Sequence, residues 1–185
     1  MKIFFLTILI SFSAYASEEV KLSQLLGAGV GIGNISSTDV SLSAVVPYLS
    51  YRKEFEQASR FSFGGYASAI MDSGLSLLGA QGIGTIGWNI FGGLARQQSI
   101  VVKGDKVLNL HKKSRAWTGY FDIGYSLTPI FSSSTTATFS GPSAGITIYQ
   151  LGHVRLEYSL KFTNQATGER KLSTAFLSVG YIFDL

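Results

Sequence analysis

The residue types that could do chemistry in this sequence are concentrated in GHVRLEYSLKF, residues 152–162. This stretch holds a histidine, an acid and a hydroxyl, His153, Glu157 and Ser159, the set that many hydrolases use for nucleophilic catalysis. In an extended strand, however, His153 and Glu157 would lie roughly 13 Å apart, because each residue advances the chain by about 3.3 Å. A catalytic set needs contacts of about 3 Å. The spacing therefore argues against catalysis by these residues.

Two other features could suggest a ligand, and neither has the context that its chemistry requires. The run GAGVGIG at residues 27–33 has the glycines of a phosphate-binding loop, but a dinucleotide fingerprint follows a strand and opens a helix. Here glycine and apolar residues simply alternate. The two histidines, His111 and His153, do not have the spacing of metal ligands. The sequence predicts no catalytic residue, no cofactor and no metal site.

The same stretch alternates between polar and apolar side chains, as a β-strand with two different faces does. The odd positions carry His153, Arg155, Glu157, Ser159 and Lys161. The even positions carry Val154, Leu156, Tyr158, Leu160 and Phe162. Comparable segments predict eight strands, at about residues 25–33, 40–53, 60–70, 83–95, 116–127, 138–149, 152–162 and 172–185. The chain is therefore predicted to be all-β.

The composition indicates that the apolar face of these strands is the outer one. Charged residues make up 14% of the chain, against roughly 25% in soluble domains. The mean hydropathy is +0.27, yet no apolar run after residue 16 is long enough for a membrane helix. A mean hydropathy this high without long apolar runs is typical of a transmembrane β-barrel.

In such a barrel the charged face points inward. An eight-stranded barrel is just wide enough inside for side chains to fill it, and buried charges must pair because an unpaired one is costly. We therefore expect an interior polar network of Arg52, Arg60, Asp122, His153, Arg155, Glu157 and Lys161.

The junction between the sixth and seventh segments predicts a register. Residues 150–152 (QLG) suit a tight hairpin with its glycine in a left-handed conformation. That hairpin would pair Tyr149 with His153 and Gly145 with Glu157, and both polar faces would then lie on the same side of the sheet.

The first 16 residues, MKIFFLTILISFSAYA, have the features of a secretory signal peptide: a positive Lys2, an apolar stretch and an Ala-Tyr-Ala cleavage pattern. There is no cysteine, which excludes disulfides and a lipid-bearing cysteine. Residues 17–185 have the length of a single domain.

The end of the chain is apolar or aromatic at every second position, at Leu177, Val179, Tyr181, Phe183 and Leu185. This resembles the C-terminal signature that the insertion machinery of outer-membrane barrels recognises, with Leu185 where that family usually ends in Phe. With its signal peptide and about eight strands, the chain resembles the small bacterial outer-membrane barrels typified by the membrane domain of outer membrane protein A. The resemblance implies an antiparallel up-and-down transmembrane β-barrel in the cell outer membrane of a Gram-negative bacterium. It also implies contact with lipid and lipopolysaccharide, and a monomer.

Positive charge is concentrated in one segment, which carries Lys103, Lys106, Lys112, Lys113 and Arg115. Counted from a periplasmic N-terminus, residues 97–114 link the fourth and fifth strands, where a short periplasmic turn is expected. The segment could contact a periplasmic partner, or be solvated without a partner. If the strand count is wrong by one, it would face the phosphates of lipopolysaccharide. Nothing in it resembles nucleic-acid binding.

We therefore expect a non-enzymatic barrel with a structural, adhesive or envelope-maintaining role. A narrow pore or transporter is the main alternative. A lipid A-modifying enzyme and a soluble secreted barrel that binds a small apolar ligand fit the sequence less well.

Overall fold

The fold is a closed antiparallel β-barrel. The computed structural model describes residues 22–38, 40–55, 60–92, 100–101, 107–108, 117–131, 136–150 and 154–184. The strands are β1 (Leu22–Ser37), β2 (Ser41–Phe55), β3 (Phe61–Met71), β4 (Leu77–Phe91), β5 (Ile100–Val101), β6 (Val107–Leu108), β7 (Trp117–Phe131), β8 (Thr136–Gln150), β9 (Leu156–Thr167) and β10 (Arg170–Asp184). Eight of them close the barrel in the order β1-β10-β9-β8-β7-β4-β3-β2, while β5 and β6 pair separately. The predicted all-β, eight-stranded barrel is confirmed.

The alternation of each strand sorts side chains between the lumen and the outer wall. Along β9, Glu157, Ser159 and Lys161 are buried inside the barrel. The wall is apolar: Phe162 on β9 is 50% exposed and Leu177 on β10 is 57% exposed. No helix among the described residues is long and apolar enough to cross a membrane.

The register between β8 and β9 differs from the predicted one. Tyr149 pairs with Glu157 and Gly145 pairs with Lys161, so the predicted pairing of Tyr149 with His153 is wrong by four residues. The reason is that the connection between β8 and β9 spans residues 151–155, longer than the expected hairpin loop. Because the shift is an even number of residues, every side chain keeps its predicted face.

The two ends of the barrel carry very different connections. We call the end where β1 begins and β10 ends the terminal end, and the opposite one the turn end. At the turn end the connections are only two to five residues long: 38–40, 72–76, 132–135 and 168–169. Gly168 has φ +56° in the shortest of them, a left-handed conformation that glycine adopts without strain.

The terminal end carries the connections 56–60, 92–116 and 151–155. The basic segment belongs to the long 92–116 connection, together with β5 and β6. The strand count is therefore right, and the alternative that a miscount moves this segment to the opposite end is wrong. Its basic side chains lie outside the described residues.

Apolar side chains fill the lumen near both ends. A cluster at the turn end is formed by Ile35, Ala44, Val46, Ile70, Phe139, Leu172 and Phe176. A smaller cluster towards the terminal end contains Leu25, Tyr120, Tyr149 and Ile182. Of the buried charges, Asp122, Glu157 and Lys161 lie between these two clusters, while Glu54 lies beside Tyr120 of the second one.

Candidate functional site in the barrel lumen

Four charged side chains from three strands meet in the middle of the lumen. Arg52 on β2, Asp122 on β7, and Glu157 and Lys161 on β9 are at most 4% exposed. Each is at an inward position of its strand, so the alternation of the sequence and the closure of the barrel together bring them into one region of the lumen.

Arg52 uses its whole guanidinium group. Its Nη2 donates to both oxygens of Asp122, at 2.8 and 2.9 Å. Its Nη1 donates to Ser62 Oγ at 2.6 Å, and its Nε donates to Tyr149 Oη at 2.8 Å. The group also lies 4.4 Å from the ring centroid of Tyr120, a cation–π distance. One guanidinium nitrogen thus contacts both carboxylate oxygens, and hydrogen bonds between ionised groups are roughly twice as strong as neutral ones.

Asp122 is the acceptor on which a second cation converges. Lys161 Nζ donates to Asp122 Oδ2, and Thr147 Oγ1 donates to the same oxygen at 2.5 Å. Lys161 also donates to Thr147 Oγ1 at 2.8 Å and lies 4.3 Å from the ring centroid of Tyr66. Asp122 is therefore held by two cations and a hydroxyl.

Glu157 has a different environment. Ser50 Oγ donates to its Oε2, and Tyr66 Oη lies 2.8 Å from its Oε1. The same Tyr66 oxygen lies 2.9 Å from Thr147 Oγ1. Within the described part of the chain, Glu157 contacts hydroxyl groups and no cation.

Two inward glycines make room for these side chains. A Cβ at Gly27 would collide with the carboxylate of Glu157 and the hydroxyl of Ser50. A Cβ at Gly87 would collide with Arg52 Nη1 and lie 2.6 Å from Asp122 Oδ1. The glycines thus set the space that the long polar side chains occupy.

Arg60 and Arg155 lie towards the terminal end. Arg60 is exposed, so its predicted place in the interior is wrong. It has the inward parity of β3 but directly precedes that strand, where the lumen opens. Arg155 directly precedes β9 and is half-buried. His153 lies outside the described residues.

The partners of the charged residues were missed by the sequence prediction. Ser50, Ser62, Tyr66, Thr147 and Tyr149 supply the hydrogen bonds. Glu54, which accepts a hydrogen bond from Tyr120 Oη at 2.5 Å, was also missed. The available signal was weak: these residues share the inward parity of the charged ones, but parity does not say which of them meet.

A second, uncharged polar layer lies nearer the turn end. Gln165 Nε2 donates to Ser126 Oγ at 2.7 Å, and Gln81 Nε2 donates to Thr128 Oγ1 at 3.1 Å. Next to it is a cavity of about 20 Å³ lined in part by Tyr48, Gln81 and Lys161, room for about one water molecule. The lumen is therefore filled with side chains over the described strands.

The geometry does not assemble a catalytic set from the described residues. Ser159 Oγ lies 2.7 Å from Ser178 Oγ, while Glu157 contacts Ser50 and Tyr66. No group of three metal-ligating side chains occurs among the residues that the structure describes. What the arrangement can do chemically is hold charge and protons out of water.

Comparison with known proteins shows the fold. No protein-family model matches the chain, and no curated protein matches it. Among solved structures, the chain is similar to Neisserial surface protein A (NspA), with a TM-score of 0.55, 12% identity, and coverage of 89% of this chain and 99% of that one.

Two further solved structures are similar at lower scores. The N-terminal β-barrel domain of Pseudomonas aeruginosa OprF has a TM-score of 0.48 and 12% identity, and covers 86% of this chain and 97% of its own. Ail of Yersinia pestis, solved with the heparin analogue sucrose octasulfate, has a TM-score of 0.46 and 12% identity. The match covers 88% of this chain and 99% of that one. The likeness to NspA and the closed eight-stranded barrel together show the architecture of the small eight-stranded outer-membrane barrels.

Proposed function

We propose that this protein is a monomeric, integral barrel of the cell outer membrane with a non-enzymatic role in the structure and maintenance of the envelope. The observation that best supports this is that the polar faces of the strands point into the barrel and the apolar faces point outward, the reverse of a soluble protein. Arg52, Asp122, Glu157 and Lys161 are buried inside, while large apolar side chains cover the outer wall. A wall of this kind fits hydrocarbon, and its natural surroundings are outer-membrane lipid and lipopolysaccharide.

Aromatic pairs on the outer wall support this placement. Phe61 and Trp88 have ring centroids 5.1 Å apart, and those of Tyr181 and Phe183 are 4.8 Å apart. These side chains lie towards the terminal end and are 43–51% exposed. Aromatic girdles of this kind mark the boundary between hydrocarbon and headgroups in membrane barrels.

The filled lumen favours a structural role over a pore. Clusters of buried apolar and aromatic side chains occupy the lumen near both ends, and the cavity next to the uncharged polar layer has a volume of about 20 Å³. A water-filled path would need a wider barrel or smaller inward side chains.

The connections favour envelope maintenance over adhesion. With two to five residues between strands at the turn end, little chain protrudes there to bind another cell. The longest connection, residues 92–116, lies at the opposite end. We place the terminal end in the periplasm, where this basic connection would meet an anionic envelope component.

Cell fractionation tests the proposal. We expect the protein in the outer-membrane fraction after a salt wash, and we expect the unheated, folded protein to migrate differently on a gel from the heated one. Recovery as a salt-extractable soluble protein would contradict it.

The proposed orientation can be tested with single cysteines, because the native chain has none. In Glu169→Cys the label site is in the exposed 168–169 turn, and in Lys106→Cys it is in the basic connection. A membrane-impermeant thiol reagent should label the first in intact cells and the second only after permeabilisation. The reverse pattern would place the terminal end outside.

A further inference from the structure

A chain of hydroxyl groups connects the two buried carboxylates across the lumen. Glu157 Oε1 lies 2.8 Å from Tyr66 Oη, Tyr66 Oη lies 2.9 Å from Thr147 Oγ1, and Thr147 Oγ1 lies 2.5 Å from Asp122 Oδ2. The members come from four strands, β9, β3, β8 and β7 in that order. Each of these three oxygen–oxygen contacts needs one hydrogen atom to be favourable.

The hydroxyl groups supply too few hydrogens. Tyr66 and Thr147 carry one hydroxyl hydrogen each, so two hydrogens serve three contacts. The amine of Lys161 donates to Thr147 but lies outside the three contacts. One further proton on a carboxyl group completes the chain.

The environments of the two carboxyl groups decide where that proton lies. Asp122 is bound by both nitrogen cations, Arg52 and Lys161, and a proton on it would weaken both ion pairs. Glu157 is fully buried and, among the described residues, accepts only from hydroxyls. A buried carboxyl group with no cation in contact is the one that remains neutral most readily.

The charge balance of the lumen agrees. The buried cations in the described strands are Arg52 and Lys161, and the buried acids are Glu54, Asp122 and Glu157. The buried acids in the described strands therefore outnumber the buried cations by one. A third carboxylate would leave the interior with an excess negative charge, which is unfavourable at low dielectric.

We propose that the lumen is a binding site for one proton, held on Glu157. Glu157 then donates to Tyr66, Tyr66 donates to Thr147, and Thr147 donates to Asp122. When the proton leaves, Tyr66 must turn its hydrogen to Glu157, and the contact between Tyr66 and Thr147 loses its hydrogen. Proton release therefore weakens the connection of β9 and β3 to β8 and β7 across the lumen.

The titratable and charged groups that face Glu157 come from each strand packed around it. They are Tyr48 and Arg52 on β2, Tyr66 on β3, Asp122 on β7, Tyr149 on β8 and Lys161 on β9. The half-buried Arg155 precedes Glu157 by two residues and has the same parity. The neighbouring positions on β1 and β10 are Gly27 and Gly180, which carry no charge.

The test compares the pH dependence of unfolding in wild type and Glu157→Gln, refolded in detergent micelles. A free glutamate in the unfolded chain ionises at about pH 4.3. If the folded protein keeps the proton above that pH, the wild-type unfolding constant should rise about tenfold per pH unit relative to Glu157→Gln. The amide that this substitution introduces can donate to Tyr66 as the protonated acid does, so the variant should fold. Contributions from other groups cancel in the comparison.

Asp122→Asn is the matched control, since it neutralises the carboxylate at the other end of the chain of hydroxyl groups. It removes the partner of two cations and should destabilise the barrel at every pH. If wild type and Glu157→Gln show the same pH dependence, the proposal is overturned. Infrared spectra give a second readout: a protonated-carboxyl band at neutral pH should be present in wild type and absent in Glu157→Gln, and its absence from wild type would equally overturn the proposal. Both measurements need only the folded barrel, so their outcome is separate from that of the fractionation experiment.

Discussion

Asp122 is the residue on which the interior charge depends, because both buried cations donate to it. We predict that Asp122→Ala lowers the free energy of unfolding by about 3–5 kcal/mol, since it leaves two buried cations without their partner. Arg60→Ala is the control: Arg60 is exposed, and its loss should change stability by less than about 0.5 kcal/mol. Urea titration of the refolded variants measures both. Equal effects would mean that the charged layer is not buried.

Two glycines on β4 provide a second comparison at this scale. A Cβ at Gly87 would strike the pair of Arg52 and Asp122, whereas a Cβ at Gly82 on the outer wall would meet nothing within 4 Å. Gly87→Ala should therefore cost about 1–3 kcal/mol of unfolding free energy. Gly82→Ala should be neutral or stabilise by up to about 1 kcal/mol. The same titrations report the difference, and similar values for the two variants would contradict the described packing.

The alternation of polar and apolar residues was enough to predict that Arg52, Asp122, Glu157 and Lys161 point inward. It could not predict their partners, because contacts across a barrel depend on how far each strand is displaced along its neighbour. The four-residue error between β8 and β9 illustrates this: the faces were right, but Glu157 lies opposite Tyr149 instead of Gly145. The prediction that Arg60 is inside was wrong for a related reason: the alternation shows which face of a strand a residue is on, but not where along the strand the lumen ends.

At the scale of the strand, β9 should be sensitive on its apolar face. Leu160 pairs with Leu177 on β10 and Ile146 on β8, both exposed on the outer wall. We predict that Leu160→Arg costs about 2–4 kcal/mol in lipid vesicles, because the new charge would enter hydrocarbon. Glu169→Arg, in the exposed turn between β9 and β10, should cost far less. Comparable stability of the two variants would mean that β9 does not face lipid.

Strand β10 shows why a strict polar–apolar rule fails at two positions. Phe176 and Ile182 have the inward parity of Thr174 and Ser178, yet both are apolar and buried, at 4% and 0% exposure. Each belongs to one of the two apolar clusters that flank the charged layer. A lumen that is packed instead of open needs apolar side chains inside as well, and the period of a single strand does not reveal them.

For the whole molecule, the prediction concerns conduction. An apolar cluster closes the lumen at the turn end, and Leu25, Tyr120, Tyr149 and Ile182 pack together towards the terminal end; ions would have to leave water to pass the apolar cluster. We therefore expect the refolded protein to give no conductance steps in planar bilayers. Reproducible steps that disappear when the protein is heat-denatured before addition would show that the lumen opens.

The barrel closes by pairing its first strand with its last, and this has a consequence for folding. Every other junction joins strands that follow one another in the wall, whereas Leu25 pairs with Asp184, at the far end of the chain. Bringing such distant segments together costs more chain entropy than forming a hairpin and is slow. Until β10 meets β1, the nascent sheet has two free edges that can pair with other chains. Aggregation during assembly should therefore start from the unclosed sheet. Any factor that assists the folding of this protein has to keep other chains away from these edges until β1 and β10 have paired.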